Sequence, residues 1–432
     1  MTPRAQNQKD EIVLTANSPS TGSEDFDVVI VGGGQGGATT AIALRQNGFA
    51  GSIAILDAEQ DPPYGRPPLS KGYLLEKQSF EKILLRPRSF WLEQNIELRL
   101  RTEVTQLDHS ARQVVTKAGS RVGFGKLVWA TGGSSRRLTC QGADLAGVHY
   151  VRTRDDADRI ISELPSTTRV VVIGGGYIGL EAASALRTLG KEVVILEALD
   201  RVLARVAGEQ LSRFYESEHR RHGIDVRLRQ QVECILRSGE RASGVKLASG
   251  EVIAADMVIV GIGIKPKVEA LIRAGAEGEN GVRVDEQCRT SLPDVMAIGD
   301  CAEHRNIYAD GEYIRLESVQ NANDQGTVAA KAIIGLDARY EAIPWFWSNQ
   351  FDLRLQTAGI STGHDRTILR GDLDTRRFSV VYLKGERMIA IDAVNNTREY
   401  VQGRELVRQR ATVAADRLAD PKLALSDAVT QS

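Results

Sequence analysis

Two glycine-rich stretches carry the residues whose type and spacing best suit chemistry, and that chemistry is dinucleotide binding. The pattern G-x-G-x-x-G occurs twice, at Gly32, Gly34 and Gly37 and again at Gly174, Gly176 and Gly179. In such a motif the first glycine permits a tight turn, the second lets the backbone approach a pyrophosphate, and the third lets a helix pack on a strand. The orphan N–H groups of the helix N-terminus then face the phosphates. Two copies therefore predict two bound dinucleotides.

An acidic residue follows each motif at about the distance, roughly 20 residues, at which it can accept hydrogen bonds from ribose hydroxyls. In the second copy this acid is Glu197, whose charge would repel the 2′-phosphate of NADPH, so NADH is favoured. Arg201 and Arg205 follow closely and keep NADPH open. In the first copy Asp57 ends the apolar run, but Glu59 is close enough to replace it, and the sequence leaves that choice open.

These residues need a strand–turn–helix–strand unit to position them, and the flanking sequence predicts one in each copy. A continuous β-branched run precedes each motif, which is typical of a strand buried on both faces of a parallel sheet. An Ala- and Leu-rich helical pattern follows and ends at Gly48 and Gly190, which we predict to be helix C-caps. A second apolar strand then leads to the acid. The predicted fold class is α/β, with two Rossmann-like units.

Length and composition set the wider limits. The 432 residues suit two or three domains, and a net charge of −1 gives no reason to expect nucleic-acid binding. Residues 1–24 are polar, and we predict a disordered tail there. No stretch has the length and apolar character of a signal peptide or a membrane span, so we expect a cytoplasmic protein with no membrane partner.

Cysteine spacing argues against two kinds of site. The four cysteines are Cys140, Cys234, Cys288 and Cys301, and none of them forms a C-x-x-C or C-x4-C pair. We therefore expect neither a metal site nor a redox-active disulfide, and we interpret the thiols as scattered small residues of the interior.

Three further stretches look like strands that run into small-residue turns. LVWATGG contains Ala130 and Thr131, VIVGIGIKP contains Gly263, and VMAIGD ends at Asp300. An acid in the position of Asp300 could bind a ribityl or ribose hydroxyl, although taken alone it also suits an ordinary turn.

Together with PYGRPPLSK, ATGGSSR, RLESVQNANDQ and PWFWSNQFDLRLQ, these motifs resemble those of the FAD-dependent NADH:ferredoxin reductases of oxygenase systems, of the putidaredoxin reductase type. These are flavoproteins with two dinucleotide-binding domains and a glutathione-reductase-like architecture. The resemblance implies a discontinuous FAD-binding domain at 25–133 and 263–330. It further implies an inserted NADH-binding domain at 134–262 and an α/β C-terminal domain at 331–432.

The resemblance also implies roles for individual residues. Lys71 is expected to approach flavin N5 and to pair with Glu181, which makes them the catalytic pair; without the family, Lys71 reads as an exposed lysine after a proline-rich turn. The predicted FAD site is Gly32, Gly34, Gly37, Asp57, Arg66, Lys71, Ala130, Thr131, Arg136, Asp300 and Val319, and the predicted NADH site is Gly174, Gly176, Gly179, Glu197 and Gly263. Glu317, Ser318 and Val319 are expected by the pyrimidine end of the flavin. Trp347 suits either the flavin cavity or core packing.

The implied activity is hydride transfer from NADH to FAD N5, followed by transfer of single electrons to a [2Fe–2S] ferredoxin. That ferredoxin would supply a haem-thiolate monooxygenase, with a Rieske-type aromatic-ring oxygenase as the alternative. A different class of function is a flavoprotein like apoptosis-inducing factor that acts through partner binding. We expect a monomer whose basic rim steers the ferredoxin. Four arginines are candidates for that rim, although each also suits a solvated surface: Arg305, Arg315, Arg339 and Arg354.

Overall fold

The structure is a computed structural model that describes residues 24–430, so the predicted tail lies outside the described residues except for Glu24, which begins the first strand. The strands in chain order are β1 (Glu24–Val31), β2 (Ile53–Leu56), β3 (Ile96–Arg99), β4 (Val104–Asp108), β5 (Gln113–Thr116), β6 (Arg121–Trp129), β7 (Gly133–Ser135), β8 (Val148–Tyr150), β9 (Arg169–Ile173), β10 (Glu192–Leu196), β11 (Asp225–Arg227), β12 (Val232–Ser238), β13 (Arg241–Leu247), β14 (Val252–Ala254), β15 (Met257–Val260), β16 (Ile264–Pro266), β17 (Val282–Val284), β18 (Val295–Ala297), β19 (Ala302–Arg305), β20 (Tyr313–Ile314), β21 (Trp345–Gln350), β22 (Leu353–Gly359), β23 (Arg366–Asp372), β24 (Arg377–Lys384) and β25 (Arg387–Val394).

Helices cover the sheet faces. They are α1 (Gln35–Gln46), α2 (Phe80–Ile83), α3 (Arg88–Glu93), α4 (Arg154–Glu163), α5 (Tyr177–Thr188), α6 (Glu209–Arg221), α7 (Glu269–Arg273), α8 (Val319–Ile333), α9 (Thr397–Arg408) and α10 (Ala415–Ala419). Within residues 24–430, none of the helices combines the length and the apolar character that a bilayer crossing requires.

The first glycine motif lies in a seven-stranded sheet of order β3-β2-β1-β6-β5-β4, in which β18 also pairs with β6. The strands β3, β2, β1, β6 and β18 run parallel, and β5 and β4 add an antiparallel edge. The side chains of Val28, Val29 and Ile30 are fully buried because helices and loops cover both faces of β1. Since β18 joins this sheet from far along the chain, the sheet is built from two separate stretches of sequence.

The second motif lies in a five-stranded sheet of order β11-β10-β9-β15-β8, in which every pairing is parallel. All its strands come from the stretch between the two parts of the first sheet. The short antiparallel pair of β7 with β16 joins the two units where the chain passes between them. This arrangement follows the predicted division into an FAD unit and an inserted NADH unit, although the domain boundaries themselves stay a prediction.

Both helices end next to the predicted glycines, but each glycine lies one residue after the C-cap, which is Asn47 in the first helix and Leu189 in the second. The first helix ends at Gln46 and the second at Thr188, and the glycines that follow have φ of +81° at Gly48 and +78° at Gly190. The left-handed conformation has no steric cost for glycine, because glycine has no Cβ. These helices therefore end next to the glycines.

The C-terminal part is a five-stranded antiparallel sheet of order β21-β22-β25-β24-β23. One face packs on α9, and the other packs against the NADH unit, where the rings of Phe214 and Phe378 lie 4.7 Å apart. Because both faces are covered, nearly every residue of β24 and β25 is buried. This packing places β21 against α5 and so brings the C-terminal sheet to the edge of the second glycine motif.

Candidate functional site

One continuous cavity of about 1330 Å³ runs between the three parts of the fold. Its wall includes both glycine-rich turns, the segment that contains Lys71, and residues of β21. The predicted site residues line this cavity with two exceptions, Gly37 and Gly179. Those two are the third glycines of their motifs, whose predicted role is packing of helix on strand and not contact with a ligand.

The packing role of the third glycine is visible in both copies. A Cβ added at Gly37 would lie 2.0 Å from the carbonyl oxygen of Gly32, and one at Gly179 would lie 2.0 Å from that of Gly174. These contacts are far inside van der Waals distance, so no other residue fits without moving the backbone.

The second glycine of each motif, in contrast, has open space around it. A Cβ on Gly34 or Gly176 would meet no protein atom within 4 Å, and both residues have ordinary negative φ. Neither protein packing nor backbone strain therefore requires glycine there. Both residues are helix N-caps without a side-chain cap, so the first N–H groups of α1 and α5 are left for a ligand in the cavity. Both cradles thus fit a dinucleotide phosphate.

The acids after the two motifs occupy equivalent places. Asp57 Oδ2 accepts a hydrogen bond from Gly33 N–H at 2.9 Å, and Glu197 Oε2 accepts one from Gly175 N–H at 2.7 Å. Glu59, the alternative to Asp57, is instead engaged by Arg66 at 2.6 Å and by the Tyr64 hydroxyl at 2.5 Å. Burial, followed by the nearby charge of Glu59, raises the pKa of Asp57. The geometry therefore favours Asp57 as the residue that faces the ribose.

Arg201 and Arg205, the two arginines that left NADPH as a possible coenzyme, differ in their surroundings. Arg201 donates to the carbonyl oxygen of Ala207 at 2.7 Å and to Ser212 Oγ at 2.6 Å, so its guanidinium is used within the fold. Arg205 is exposed and lines the cavity. Only Arg205 is therefore placed to meet a 2′-phosphate.

The predicted pair of Lys71 and Glu181 is confirmed as an ion pair. Lys71 Nζ lies 2.8 Å from Glu181 Oε2, and the Glu181 side chain is only 1% exposed. Ser70 Oγ donates to Oε2 at 2.7 Å, and Ser348 Oγ donates to Oε1 at 2.6 Å. A buried carboxylate is stable only when its lone pairs are satisfied in this way. Lys71 is therefore held at the cavity wall and is not a freely solvated lysine.

Arg152 is a cavity residue that the sequence analysis missed. Its Nη2 lies 3.1 Å from Asp300 Oδ2, and its carbonyl oxygen accepts a hydrogen bond from Arg66 at 2.8 Å. Arg152 belongs to the loop before α4, in the NADH unit, yet it contacts two residues predicted for FAD. No motif marks it in the sequence.

The turns that contain Thr131 and Gly263 lie next to each other. Thr131 Oγ1 donates to the carbonyl oxygen of Lys267 at 2.7 Å, and the backbone N–H of Arg136 donates to Gly263 at 2.8 Å. Ala130 lines the cavity beside Thr131. Residues predicted for FAD (Arg136) and for NADH (Gly263) are thus immediate neighbours, because the β7–β16 pair joins the two units at this point.

The residues expected at the pyrimidine end of the flavin gather at the start of α8. Val319 is the first residue of that helix, and Ser318 caps it by accepting a hydrogen bond from Asn321 N–H at 3.0 Å. Glu317 pairs with Arg315 at 2.8 Å. Trp347 also lines the cavity, which favours cavity lining over core packing for that residue.

The four arginines expected to form a basic rim differ in their exposure. Arg315 lines the cavity, but its side chain is only 7% exposed and donates to the carbonyl oxygen of Asp300 at 2.8 Å, so its assignment to an exposed rim is wrong. Arg305, Arg339 and Arg354 are exposed and are not part of the cavity wall. A different exposed arginine, Arg404, lies over the ring of Trp345, which lines the cavity.

The sequence and fold match known families over most of the chain. Residues 26–326 match the pyridine nucleotide-disulphide oxidoreductase family, and residues 345–429 match the reductase C-terminal family. These two matches together include both glycine motifs and the C-terminal sheet.

Individual relatives are similar to this chain over most of its length. The chain is 55% identical to a ferredoxin–NAD(P)(+) reductase of Sphingomonas sp., over 94% of this chain and 98% of that protein. It is 54% identical to the ferredoxin reductase subunit of a 5,5′-dehydrodivanillate O-demethylase of Sphingobium sp., over 93% and 98%. Its fold matches that of a solved covalent complex of putidaredoxin reductase with putidaredoxin, with a TM-score of 0.90 and 37% identity over 94% of this chain and 97% of that one.

Proposed function

Because the chain belongs to the pyridine nucleotide-disulphide oxidoreductase family, we propose that it is an FAD-dependent NADH:ferredoxin reductase. The observation that carries this proposal is the single cavity in which two dinucleotide cradles meet beside the Lys71–Glu181 pair. When bound, FAD accepts a hydride from a nicotinamide and gives up electrons one at a time, which couples a two-electron donor to a one-electron acceptor.

The residues divide between the two dinucleotides. We assign FAD to the cradle of α1 with Asp57, Arg66 and Asp300, and we add Arg152, which was not predicted. NADH is assigned to the cradle of α5 with Glu197. Lys71 lines the same cavity as both cradles, and its ammonium would stabilise negative charge on a reduced flavin. Glu181 keeps that ammonium in place.

The family name refers to a disulphide, but we propose that electrons do not leave the flavin through cysteines in this protein. Among residues 24–430, no cysteine lines the cavity. Cys301 is the nearest in sequence to a site residue, but it is buried, and burial raises the pKa of its thiol to about 11. A thiol held in that form is a poor nucleophile. We therefore propose that electrons pass directly to a protein acceptor.

The acceptor that we propose is a [2Fe–2S] ferredoxin of the putidaredoxin type, consistent with the names of the relatives. We further propose that this ferredoxin supplies a haem-thiolate monooxygenase, with a Rieske-type oxygenase as the alternative, and that the reductase is a cytoplasmic monomer.

The decisive experiment is NADH-dependent cytochrome c reduction by the FAD-reconstituted protein, with ferredoxins of both oxygenase classes added separately. Strong stimulation by a ferredoxin from a haem-thiolate system is expected, and stimulation only by a Rieske-system ferredoxin would select the alternative. Slow turnover with every ferredoxin would favour the alternative hypothesis, a flavoprotein that acts through partner binding. A protein that stays colourless after reconstitution with FAD would refute the proposal.

Coenzyme preference depends on Glu197. The Glu197→Gln variant keeps an acceptor for Gly175 N–H but removes the charge that opposes a 2′-phosphate, while Arg205 remains. We expect the ratio of kcat/KM for NADPH to that for NADH to rise about tenfold or more, the order of one charge repulsion near a surface. Steady-state kinetics with ferricyanide measure this ratio. Adding Arg205→Ala should reverse most of the gain; no change in the first variant would contradict the assignment of Glu197.

Docking of an acidic ferredoxin is expected to depend on Arg404, the exposed arginine beside Trp345. The Arg404→Glu variant should raise KM for ferredoxin about tenfold at low salt while ferricyanide reduction stays unchanged, because rim charges act mainly on the association rate. Arg398→Glu, at the other end of α9, is the matched control. Equal KM values for the two variants would place the docking surface elsewhere.

A further inference from the structure

The Glu181 carboxylate is the end point of a chain of buried polar side chains that the reaction as described does not use. We propose that Ser348, Gln350 and His219 are positioning residues, which hold Glu181 in one orientation and thereby fix the Lys71 ammonium at the flavin cavity. The inference rests on the proposed function and extends it to residues of the C-terminal sheet and of α6.

The contacts form a continuous path. Ser348 Oγ lies 2.6 Å from Glu181 Oε1, Gln350 Nε2 lies 3.1 Å from Ser348 Oγ, and His219 Nε2 lies 2.8 Å from Gln350 Oε1. The Ser348 and His219 side chains are fully buried, and Gln350 is 1% exposed. The path therefore runs through the interior without contact with solvent.

The chemistry of the groups sets the direction of every hydrogen bond. An amide nitrogen can only donate, so the Gln350 amide donates to Ser348 Oγ, and the Ser348 hydroxyl proton is left for Glu181. The Gln350 amide oxygen can only accept, so His219 must donate through Nε2–H. All donors therefore point toward the carboxylate. Hydrogen bonds aligned in one direction polarise one another and strengthen the last one.

The far end of the chain is fixed by burial. Desolvation lowers the pKa of His219 to about 4, so the imidazole is neutral at physiological pH. Its Nδ1 has no hydrogen-bond partner among the residues that the structure describes. The ring is therefore held as the single tautomer that donates from Nε2, and it cannot rotate without leaving Gln350 unsatisfied.

The arrangement suits positioning better than proton transfer. A proton moving along this path would have to cross the Gln350 amide, which has no ionisable proton to pass on and would have to reverse every donor. The hydrogen-bonded side chains instead anchor Glu181 to two parts of the fold. Ser348 and Gln350 lie on β21 and His219 on α6, while Lys71 belongs to the FAD unit, so the ion pair is set by the packing of all three parts.

The test compares Ser348→Ala with Ser379→Ala in the FAD-loaded protein. Ser379 is also a fully buried serine of the C-terminal sheet, but its only side-chain hydrogen bond among residues 24–430 is the 3.4 Å one from Asn396. The readouts are the flavin midpoint potential by dye equilibration and the rate of flavin reduction by NADH in stopped flow. We expect Ser348→Ala to lower the stability of the reduced flavin relative to the oxidised flavin about tenfold. For a two-electron couple this shifts the midpoint potential by about 30 mV to a more negative value. The rate should also fall about tenfold. Ser379→Ala should change neither.

A second variant guards against misfolding of the first. Gln350→Met keeps the volume but removes the donor to Ser348, and it should shift the potential in the same direction by a smaller amount. A folded Ser348→Ala or Gln350→Met variant with wild-type potential and rate would overturn the inference. Failure of the wild-type protein to bind FAD or to be reduced by NADH would instead refute the proposed function, so the two failures can be told apart.

Discussion

The Glu181→Ala variant is expected to reduce its flavin with NADH at least tenfold more slowly than the wild type and to lose about 3–5 kcal/mol of unfolding free energy, the usual cost of breaking a buried ion pair. The substitution leaves the Lys71 ammonium without its counter-ion 2.8 Å away, and it also removes the acceptor of Ser70 and Ser348. Unpaired buried donors pay their full desolvation cost. The same change frees Lys71 to leave the cavity wall.

Stopped-flow reduction and urea unfolding of the apoprotein measure the two effects separately. Glu233→Ala is the matched control, because Glu233 forms an ion pair of the same length, 2.8 Å, with Lys246 on the exposed surface. Such a pair is worth at most about 1 kcal/mol, and its loss should leave flavin reduction unchanged. An unaltered reduction rate in Glu181→Ala would remove Glu181 from the mechanism whatever its effect on stability.

The second large effect concerns Asp392, a buried carboxyl of β25 to which the Tyr382 hydroxyl donates at 2.6 Å. Burial raises the pKa of Asp392 to about 7, against the opposing effect of that hydrogen bond. The ordinary pKa of an aspartate is near 4. Between about pH 4 and pH 7, Asp392 in the folded protein therefore keeps a proton that it has released in the unfolded chain. This proton stabilises the folded state at low pH, and the stabilisation is lost as the pH rises through 7. From pH 5 to pH 8 the loss amounts to about 3 kcal/mol.

The Asp392→Asn variant should lack this loss. We expect the difference in unfolding free energy between variant and wild type, measured in urea, to shift in favour of the variant by about 3 kcal/mol between pH 5 and pH 8. Because it is a difference, the titration of all other groups cancels. Asp374→Asn, an exposed carboxylate in a turn of the same sheet, is the control. Parallel pH profiles for Asp392→Asn and wild type would contradict the raised pKa.

The two dinucleotide cradles could be predicted because all their determinants are local. A turn, a helix N-terminus and a strand-end acid lie within one short stretch, and glycine is demanded there by contacts inside the motif, such as Gly37 against Gly32. The same holds for the helix ends at Gly48 and Gly190. The family resemblance supplied what these rules could not: the partnership of Lys71 with Glu181 has no local signature, and the residues alone read Lys71 as exposed.

Only the tertiary structure decided the contacts that are made between the three parts of the fold. The choice of Asp57 over Glu59 depends on where Arg66 and Tyr64 pack, and Arg152 enters the cavity only because the NADH unit is inserted beside the FAD unit. Arg315 is an ordinary arginine in sequence, yet it is buried. The physical reason is common to all of them: a side chain's partner and solvation are set by the neighbours that distant segments bring, and no spacing along the chain encodes that placement.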